Sequence, residues 1–99
     1  MFARIGTWHG TPDEVDRWIA RARDHVKPSI RQDPGLEAAY WLVDRAGGKA
    51  LIVTLWASEE AMQASERARA ERQAGMTAAT GGTVTTERYE VVDSLIMSV

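Results

Sequence analysis

Cysteine is absent from this chain of 99 residues. Without thiols the protein can form no disulfide framework, thiolate nucleophile, zinc ribbon or iron–sulfur site. A reducing cytoplasm is the simplest location for such a chain, and we expect the protein there. Long apolar runs are absent too: none approaches the roughly 18 residues that a membrane-spanning helix needs, so we expect no membrane association.

An excess of positive charge is also lacking, because 12 basic residues face 14 acidic ones and the formal net charge is -2. Such a chain offers no basic face to a phosphate backbone, and we predict no nucleic-acid partner. Histidine is scarce, with only His9 and His25, and the two do not share a helix at the spacing of metal ligands. The sequence therefore predicts no metal site and no bound cofactor.

The first third of the chain predicts a strand and then a helix with a strong start signal. Phe2–His9 is rich in β-branched and aromatic residues, which favour a strand. Thr11 and Glu14 have the spacing of a capping box, and Pro12 occupies the first helical position. Pro28 should kink this helix or end its regular part. Apolar residues at helical spacing predict one buried stripe: Val15, Trp18, Ile19, Ala22, Val26 and Ile30.

The remainder predicts two paired strands, a second helix and a last strand. The strands cover residues 36–43 and 50–57 and flank a polar, glycine-containing connection of hairpin type. The second helix begins after a serine cap at residue 58 and runs to about residue 74. Residues 77–82 are expected to form a loop before the last strand, at residues 83–92.

This βαββαβ order predicts an α+β fold of the ferredoxin-like type. Each half should cross over right-handedly, which places both helices on one face of a four-stranded antiparallel sheet. The chain shows no internal repeat, linker or change of composition. Residues 1–99 are therefore expected to form a single domain.

Both faces of the predicted sheet are apolar, most clearly in residues 51–56 (LIVTLW). A sheet with helices on one face only should instead alternate between apolar and polar residues. We therefore predict a homodimer in which two copies pack their open faces together. The short apolar C-terminal segment, residues 95–99, is expected to pack as an arm on its own subunit or on a partner.

Two motifs give the chain a resemblance to a known family. Asp33–Leu36 (DPGL) leads into the second strand, and Leu55–Ala61 (LWASEEA) joins the third strand to the second helix. With the element order, these motifs resemble the antibiotic biosynthesis monooxygenase (ABM) superfamily. The resemblance implies a ferredoxin-like domain that forms a dimeric α/β barrel. Members of this family include cofactor-independent quinone-forming monooxygenases, haem-degrading enzymes and many uncharacterised proteins.

The resemblance leaves two functions open. One is a cofactor-independent monooxygenase acting on a small aromatic or polyketide-like substrate. The other is a non-catalytic dimer that binds a small ligand or has a role in stress. Haem degradation is disfavoured, because that branch uses an asparagine on the first strand and a histidine on the second helix. This chain has no asparagine, and Ser65 and Glu66 lie near the expected histidine position.

Four residues are candidates for the site. Trp56 lies at the strand–helix junction, where it could stack on an aromatic ligand or belong to the core. Trp18, Arg21 and His25 should project near one edge of the first helix. We predict His25 as the catalytic base, with a hydrogen-bonded residue at the rim of the core as the alternative. Trp56, Trp18 and Arg21 are the predicted ligand-binding residues.

The charged residues of the second helix mix signs, and we interpret them as a solvated face. They are Glu59, Glu60, Glu66, Arg67, Arg69, Glu71 and Arg72. The glycine pairs at residues 47–48 and 81–82 lack the strand–loop–helix context of a phosphate-binding loop. We interpret both pairs as turns.

Overall fold

A computed structural model describes residues 1–98 and contains one four-stranded antiparallel sheet. The strands are β1 (Phe2–His9), β2 (Leu36–Asp44), β3 (Lys49–Trp56) and β4 (Thr83–Glu90), in the spatial order β2-β3-β1-β4. The predicted α+β ferredoxin-like fold is confirmed. The predicted strand bounds differ from the observed ones by at most two residues.

The first helical segment changes helix type along its length. A single 3₁₀ turn (Pro12–Glu14) leads into α1 (Val15–Arg21), a π-helical turn (Ala22–Val26) and α2 (Lys27–Ile30). The predicted capping box is present, with the Thr11 N–H donating to the Glu14 carboxylate over 2.9 Å. The Lys27 N–H reaches back five residues to the Ala22 carbonyl. Pro28 then lies in the first turn of α2, where its missing N–H costs little.

The second helical segment consists of α3 (Glu59–Ala64) and α4 (Glu66–Thr80). Ser58 caps α3 by accepting a hydrogen bond from the Ala61 N–H at 3.1 Å. The predicted end near residue 74, with a loop from residue 77, is wrong. Thr80 extends the helix because it is buried and its hydroxyl donates to the Met76 carbonyl at 2.7 Å. Gly81, with a φ of 74°, ends α4.

Strand pairing assigns each residue to one face of the sheet. Arg4 lies opposite Thr54, and Gly6 lies opposite Ile52, on the face that the helices cover. We call this the inner face. Trp8 from the inner face and Trp18 from α1 meet in the core, with ring centroids 6.3 Å apart. The core cluster is Trp8, Val15, Trp18, Ala22, Val26, Ala50 and Met76.

The other face of the sheet, the outer face, is largely apolar. Its apolar residues are Ala3, Ile5, Ala38, Tyr40, Leu42, Leu51, Val53, Leu55 and Tyr89. Within residues 1–98, no helix packs on this face, and 57% of Tyr40 and 47% of Leu42 are exposed. None of the described helices combines the length and the apolar character that crossing a membrane requires.

Candidate functional site

A partly open cavity of about 80 Å³ lies between the inner face of the sheet and the helices. Most of its wall is apolar, contributed by Trp8, Trp18, Val26, Ile30, Ile52, Met76 and Val84. Its polar residues are Arg4, Thr54, Arg69, Arg72, Gln73 and Thr86. The arrangement combines aromatic walls for a planar molecule with guanidinium donors for its polar group.

Gly6 helps to create this cavity. The residue lies in the cavity wall, between Arg4 and Trp8 along β1. A Cβ atom built on Gly6 would meet no other heavy atom within 4 Å. The missing side chain therefore leaves open space where any other residue would fill part of the cavity.

Arg4 is an arginine on an inner strand, and only 3% of it is exposed. Its Nη1 donates to the Met62 carbonyl at 3.2 Å, to Ser65 Oγ at 2.8 Å and to a Glu66 carboxylate oxygen at 3.2 Å. The guanidinium also lies over the ring of Trp56, 5.1 Å from its centroid. These contacts fix the Arg4 side chain under the junction of α3 and α4.

Glu66 is shared by three arginines. It accepts hydrogen bonds from Arg4, from Arg69 at 2.9 Å, and from Arg88 at 2.7 and 2.8 Å. The Arg88 hydrogen bonds, followed by those of Arg69 and the charge of Arg4, outweigh partial burial and lower the pKa of Glu66 to about 2. Burial, opposed by Glu66, lowers the pKa of Arg4.

Two further arginines of α4 line the cavity. Arg69 donates to Gln73 and to Thr86 as well as to Glu66. Arg72 donates from Nη2 to both carboxylate oxygens of Asp33, at 2.7 and 2.9 Å. The interpretation of these α4 charges as a solvated face is therefore wrong for Glu66, Arg69 and Arg72, which are partly buried in ion pairs.

The structure brings only one of the four predicted site residues into the cavity wall. Trp18 lines the cavity, whereas Trp56 is fully buried behind Arg4 and donates to Thr54 Oγ1 at 2.9 Å. Arg21 extends across α4, where a Cβ atom at Gly75 would lie 2.8 Å from Arg21 Nη2.

His25 is exposed and is not part of the cavity wall. The expectation that it lies on the same edge as Trp18 assumed a regular α-helix. The π-helical turn adds a residue to the turn, so the buried positions follow Trp18 at intervals of four, as Ala22, Val26 and Ile30. Val26 therefore points into the cavity and His25 points to solvent.

The residues that the sequence interpretation missed are Gly6, Arg4 and the arginines of α4. Arg4 and Gly6 share the parity of Trp8 on β1, which is the signal that could have placed them on the inner face. Arg69 lies four residues after the small, buried Ser65 and three residues before Arg72 on α4. That helical spacing could have placed both arginines towards the sheet.

A haem group does not fit the residues of this cavity. Its lining in the described part of the chain contains no histidine, because His9 and His25 are both exposed. No group of three or more His, Asp or Glu residues within residues 1–98 is arranged to hold a metal ion.

Sequence comparisons identify relatives of this chain. Residues 1–75 match the family described as antibiotic biosynthesis monooxygenase (ABM). The uncharacterised protein Rv2557 of Mycobacterium tuberculosis is 30% identical over 91 residues, which cover 92% of this chain and 41% of that protein. Rv2558 of the same organism is 37% identical over 65 residues, which cover 66% of this chain and 28% of that protein. The chain spans less than half the length of these curated relatives.

Solved structures share the fold. The monooxygenase ActVA-Orf6 of Streptomyces coelicolor, in complex with nanaomycin D, matches with a TM-score of 0.77 and 18% identity over 98% of this chain and 92% of that chain. The haem degrader MhuD of M. tuberculosis, with two haems bound, matches with a TM-score of 0.76 and 21% identity, over 96% of this chain and 99% of that chain. SnoaB of Streptomyces nogalater, a cofactor-independent oxygenase, matches with a TM-score of 0.69 and 15% identity, over 95% of each chain. By the family match over residues 1–75, the chain belongs to the antibiotic biosynthesis monooxygenase family.

Proposed function

We propose that the protein is a cofactor-independent monooxygenase that binds a small aromatic substrate in the cavity between sheet and helices. The observation that supports this most directly is the cavity itself, with Trp8 and Trp18 in an apolar wall and arginines in its polar part. Family membership and the likeness to the monooxygenase ActVA-Orf6 and the oxygenase SnoaB favour the same reaction class. A cytoplasmic location, expected from the lack of cysteine, belongs to the same proposal.

The proposed reaction converts a phenol and O₂ into a quinone and water. The phenol loses its hydroxyl proton, and the electron-rich phenolate then reduces O₂. One oxygen atom bonds to a ring carbon, whose hydrogen leaves, and the other oxygen atom leaves as water with both hydrogens. The chain supplies an apolar enclosure, in which Trp8 and Trp18 hold the ring and exclude bulk water.

A variant that fills the cavity tests this proposal. Gly6→Leu places a side chain in the open space, and a strand residue with a side chain should not weaken β1. We expect oxygen consumption with a panel of phenols and hydroquinones to fall at least ~tenfold. Ala70→Leu, at an exposed position of α4, is the control and should keep full activity. Equal turnover by both variants would contradict the proposal.

The role of His25 as proton acceptor stays a prediction. Because its imidazole is exposed and outside the cavity wall, it could receive a substrate proton only through water. His25→Ala should then lower turnover without changing ligand affinity. Unchanged turnover across the pH range would remove His25 from the proposal. Trp56 and Arg21 remain predicted ligand-binding residues, tested by the affinity of Trp56→Phe and Arg21→Ala.

A second candidate function is ligand binding without catalysis. The observation that favours it is that no carboxylate or imidazole lines the cavity within residues 1–98. A proton acceptor in contact with the ligand is therefore lacking from the described cavity wall. Saturable binding of aromatic ligands, with no oxygen consumption above background for any of them, would support this function over the oxygenase.

We also propose that the protein acts as a homodimer through the outer face. Residues such as Tyr40, Leu42 and Val53 form an apolar sheet face that helices of the same chain leave open. A second copy is the natural occupant, because two apolar faces of the same shape pack around a two-fold axis. The exposed apolar side chains of Leu95 and Ile96, in the segment after β4, would be covered in the same assembly.

Analytical ultracentrifugation tests the dimer. The wild-type chain should sediment as a dimer at micromolar concentration. Val53→Lys, which puts a charge in the middle of the outer face, should sediment as a folded monomer. A wild-type monomer at the same concentration would contradict the dimer proposal.

A further inference from the structure

We infer that the cavity binds an aromatic ligand as an anion whose charged oxygen contacts Arg4 and Arg69. The shared chemistry is an oxyanion, which either a phenolate or a carboxylate would supply. This inference rests on the proposed function, because it concerns the same cavity, and it adds the charge of the ligand.

Positive charge exceeds negative charge beside the cavity. Arg4, Arg69 and Arg88 form ion pairs with the same carboxylate, that of Glu66. One negative charge therefore faces three positive charges. Arg4 and Arg69 belong to this group and also line the cavity, so an anion in the cavity would reduce the imbalance.

Arg4 and Arg69 also have hydrogen-bond donors that no described residue uses. Among the described residues, all three hydrogen bonds of Arg4 leave from Nη1, and those of Arg69 leave from Nε and Nη1. The Nη2 group of each guanidinium therefore keeps its N–H donors. Two guanidinium groups in one cavity wall suit the oxygen atoms of an oxyanion.

Burial strengthens this preference. The side chain of Arg4 is 4% exposed and that of Arg69 is 24% exposed, so water solvates their charges poorly. Partly desolvated charges interact more strongly with an opposite charge than exposed ones do. A neutral ligand would leave the charge surplus uncompensated, whereas an anion would offset it.

Arg72 shows why the site is at Arg4 and Arg69. Arg72 also lines the cavity, but its Nη2 donates to both oxygens of Asp33, and the two side chains are each 14% exposed. One positive charge there meets one negative charge. The Arg72 end of the cavity is already neutral, and it has less to gain from a bound anion.

The cavity has room for an aromatic ring. Its volume of about 80 Å³ corresponds to roughly five to eight water-sized spheres of 10–15 Å³. One six-membered ring with a small substituent fits this space, so a phenol or an aromatic acid is a suitable ligand.

Three probes of the same size test the inference: para-nitrobenzoate, para-nitrophenol and the neutral methyl ether para-nitroanisole. We expect calorimetric titration to give at least ~tenfold tighter binding for the anions than for the ether. Bound para-nitrophenol should show the yellow absorbance of the phenolate at a pH where the free compound is mostly neutral. Tight binding of para-nitrobenzoate alone would identify a carboxylate ligand, and tight binding of para-nitrophenol alone a phenolate; either result, or tight binding of both anions, supports the inference.

Variants of neighbouring arginines give the matched control. Arg69→Gln should lower the affinity for the anions about tenfold and leave that for para-nitroanisole unchanged. Arg69→Lys, which keeps the charge, should retain part of the affinity for the anions. Arg67 lies on the same helix with 91% of its side chain exposed, so Arg67→Gln should change neither the affinity for the anions nor the affinity for para-nitroanisole.

The outcomes separate this inference from the proposed function. Equal affinity for ether and anions, or an Arg69→Gln variant that binds all three probes like the wild type, would overturn the inference and leave the aromatic site standing. Failure of all three probes to bind would overturn both the inference and the aromatic site.

Discussion

The two faces of the sheet have the same backbone and opposite chemistry. The inner face presents Arg4, Gly6 and Thr54 beside Trp8, and these residues enclose a cavity with hydrogen-bond donors. The outer face presents mostly aliphatic and aromatic side chains on β2 and β3, with Thr7, Thr85 and Glu87 towards its β4 edge. A buried charge is costly unless it is paired, as Arg4 is with Glu66, whereas exposed apolar side chains gain from being covered.

The largest expected difference between the two faces is in stability. Trp8→Ala removes a core side chain that is 1% exposed and its hydrogen bond to the Gly81 carbonyl, and it should lower the free energy of unfolding by about 3–5 kcal/mol. Tyr40→Ala on the outer face should lower the free energy of unfolding of the monomer by less than about 1 kcal/mol. Urea unfolding at low protein concentration measures both values. Equal losses of unfolding free energy in the two variants would contradict the proposed difference between the faces.

A smaller loss is expected for Arg4→Met, which removes the buried charge of the inner face. Glu66 keeps Arg69 and Arg88 as partners, so the loss should stay near 1–3 kcal/mol, with Ser65 and the Met62 carbonyl losing a donor. Urea unfolding gives the value. A variant more stable than the wild type would indicate that Arg4 is kept for binding alone.

The ion pairs of Glu66 predict a pH dependence. Its pKa is lowered from 4.5 to about 2 in the folded state, so its stabilisation is fully present above pH 4.5 and is lost as the pH falls through 2. Because the group is partly solvated, we expect Glu66→Gln to cost about 1–2 kcal/mol at neutral pH. The difference from the wild type should shrink between pH 4.5 and 2. A difference independent of pH would contradict the ion-pair account.

The smallest effect is expected on the solvent side of α4. Arg67→Gln loses a 3.7 Å pair with Glu71 between side chains that are 91% and 73% exposed. Its free energy of unfolding should change by less than about 0.5 kcal/mol. Thermal unfolding of this variant beside Glu66→Gln checks the comparison. A loss as large as that of Glu66→Gln would mean that burial does not set the strength of these pairs.

The fold was accessible from the sequence because its signals are local. The capping box at Thr11 and Glu14, the serine cap at Ser58 and the strand patterns each depend on a few neighbouring residues. The end of α4 was missed because Thr80 is buried by tertiary packing, which overrides a loop-like composition. Local patterns therefore predict the elements better than the positions at which they end.

The site was less accessible because it depends on contacts between distant parts of the chain. Arg4 and Glu66 are 62 residues apart in sequence and meet only in the folded chain. The exposure of His25 depends on one π-helical turn, which keeps Val26 in the cavity wall. Trp18 precedes that turn and lines the cavity.

A crystal structure of the protein grown with para-nitrobenzoate would show whether the cavity binds an aromatic anion. We expect electron density for the ring in the cavity beside Trp18, with the carboxylate within hydrogen-bond distance of Arg4 and Arg69. Density for the ligand only on the outer face, or an empty cavity at saturating ligand, would contradict it.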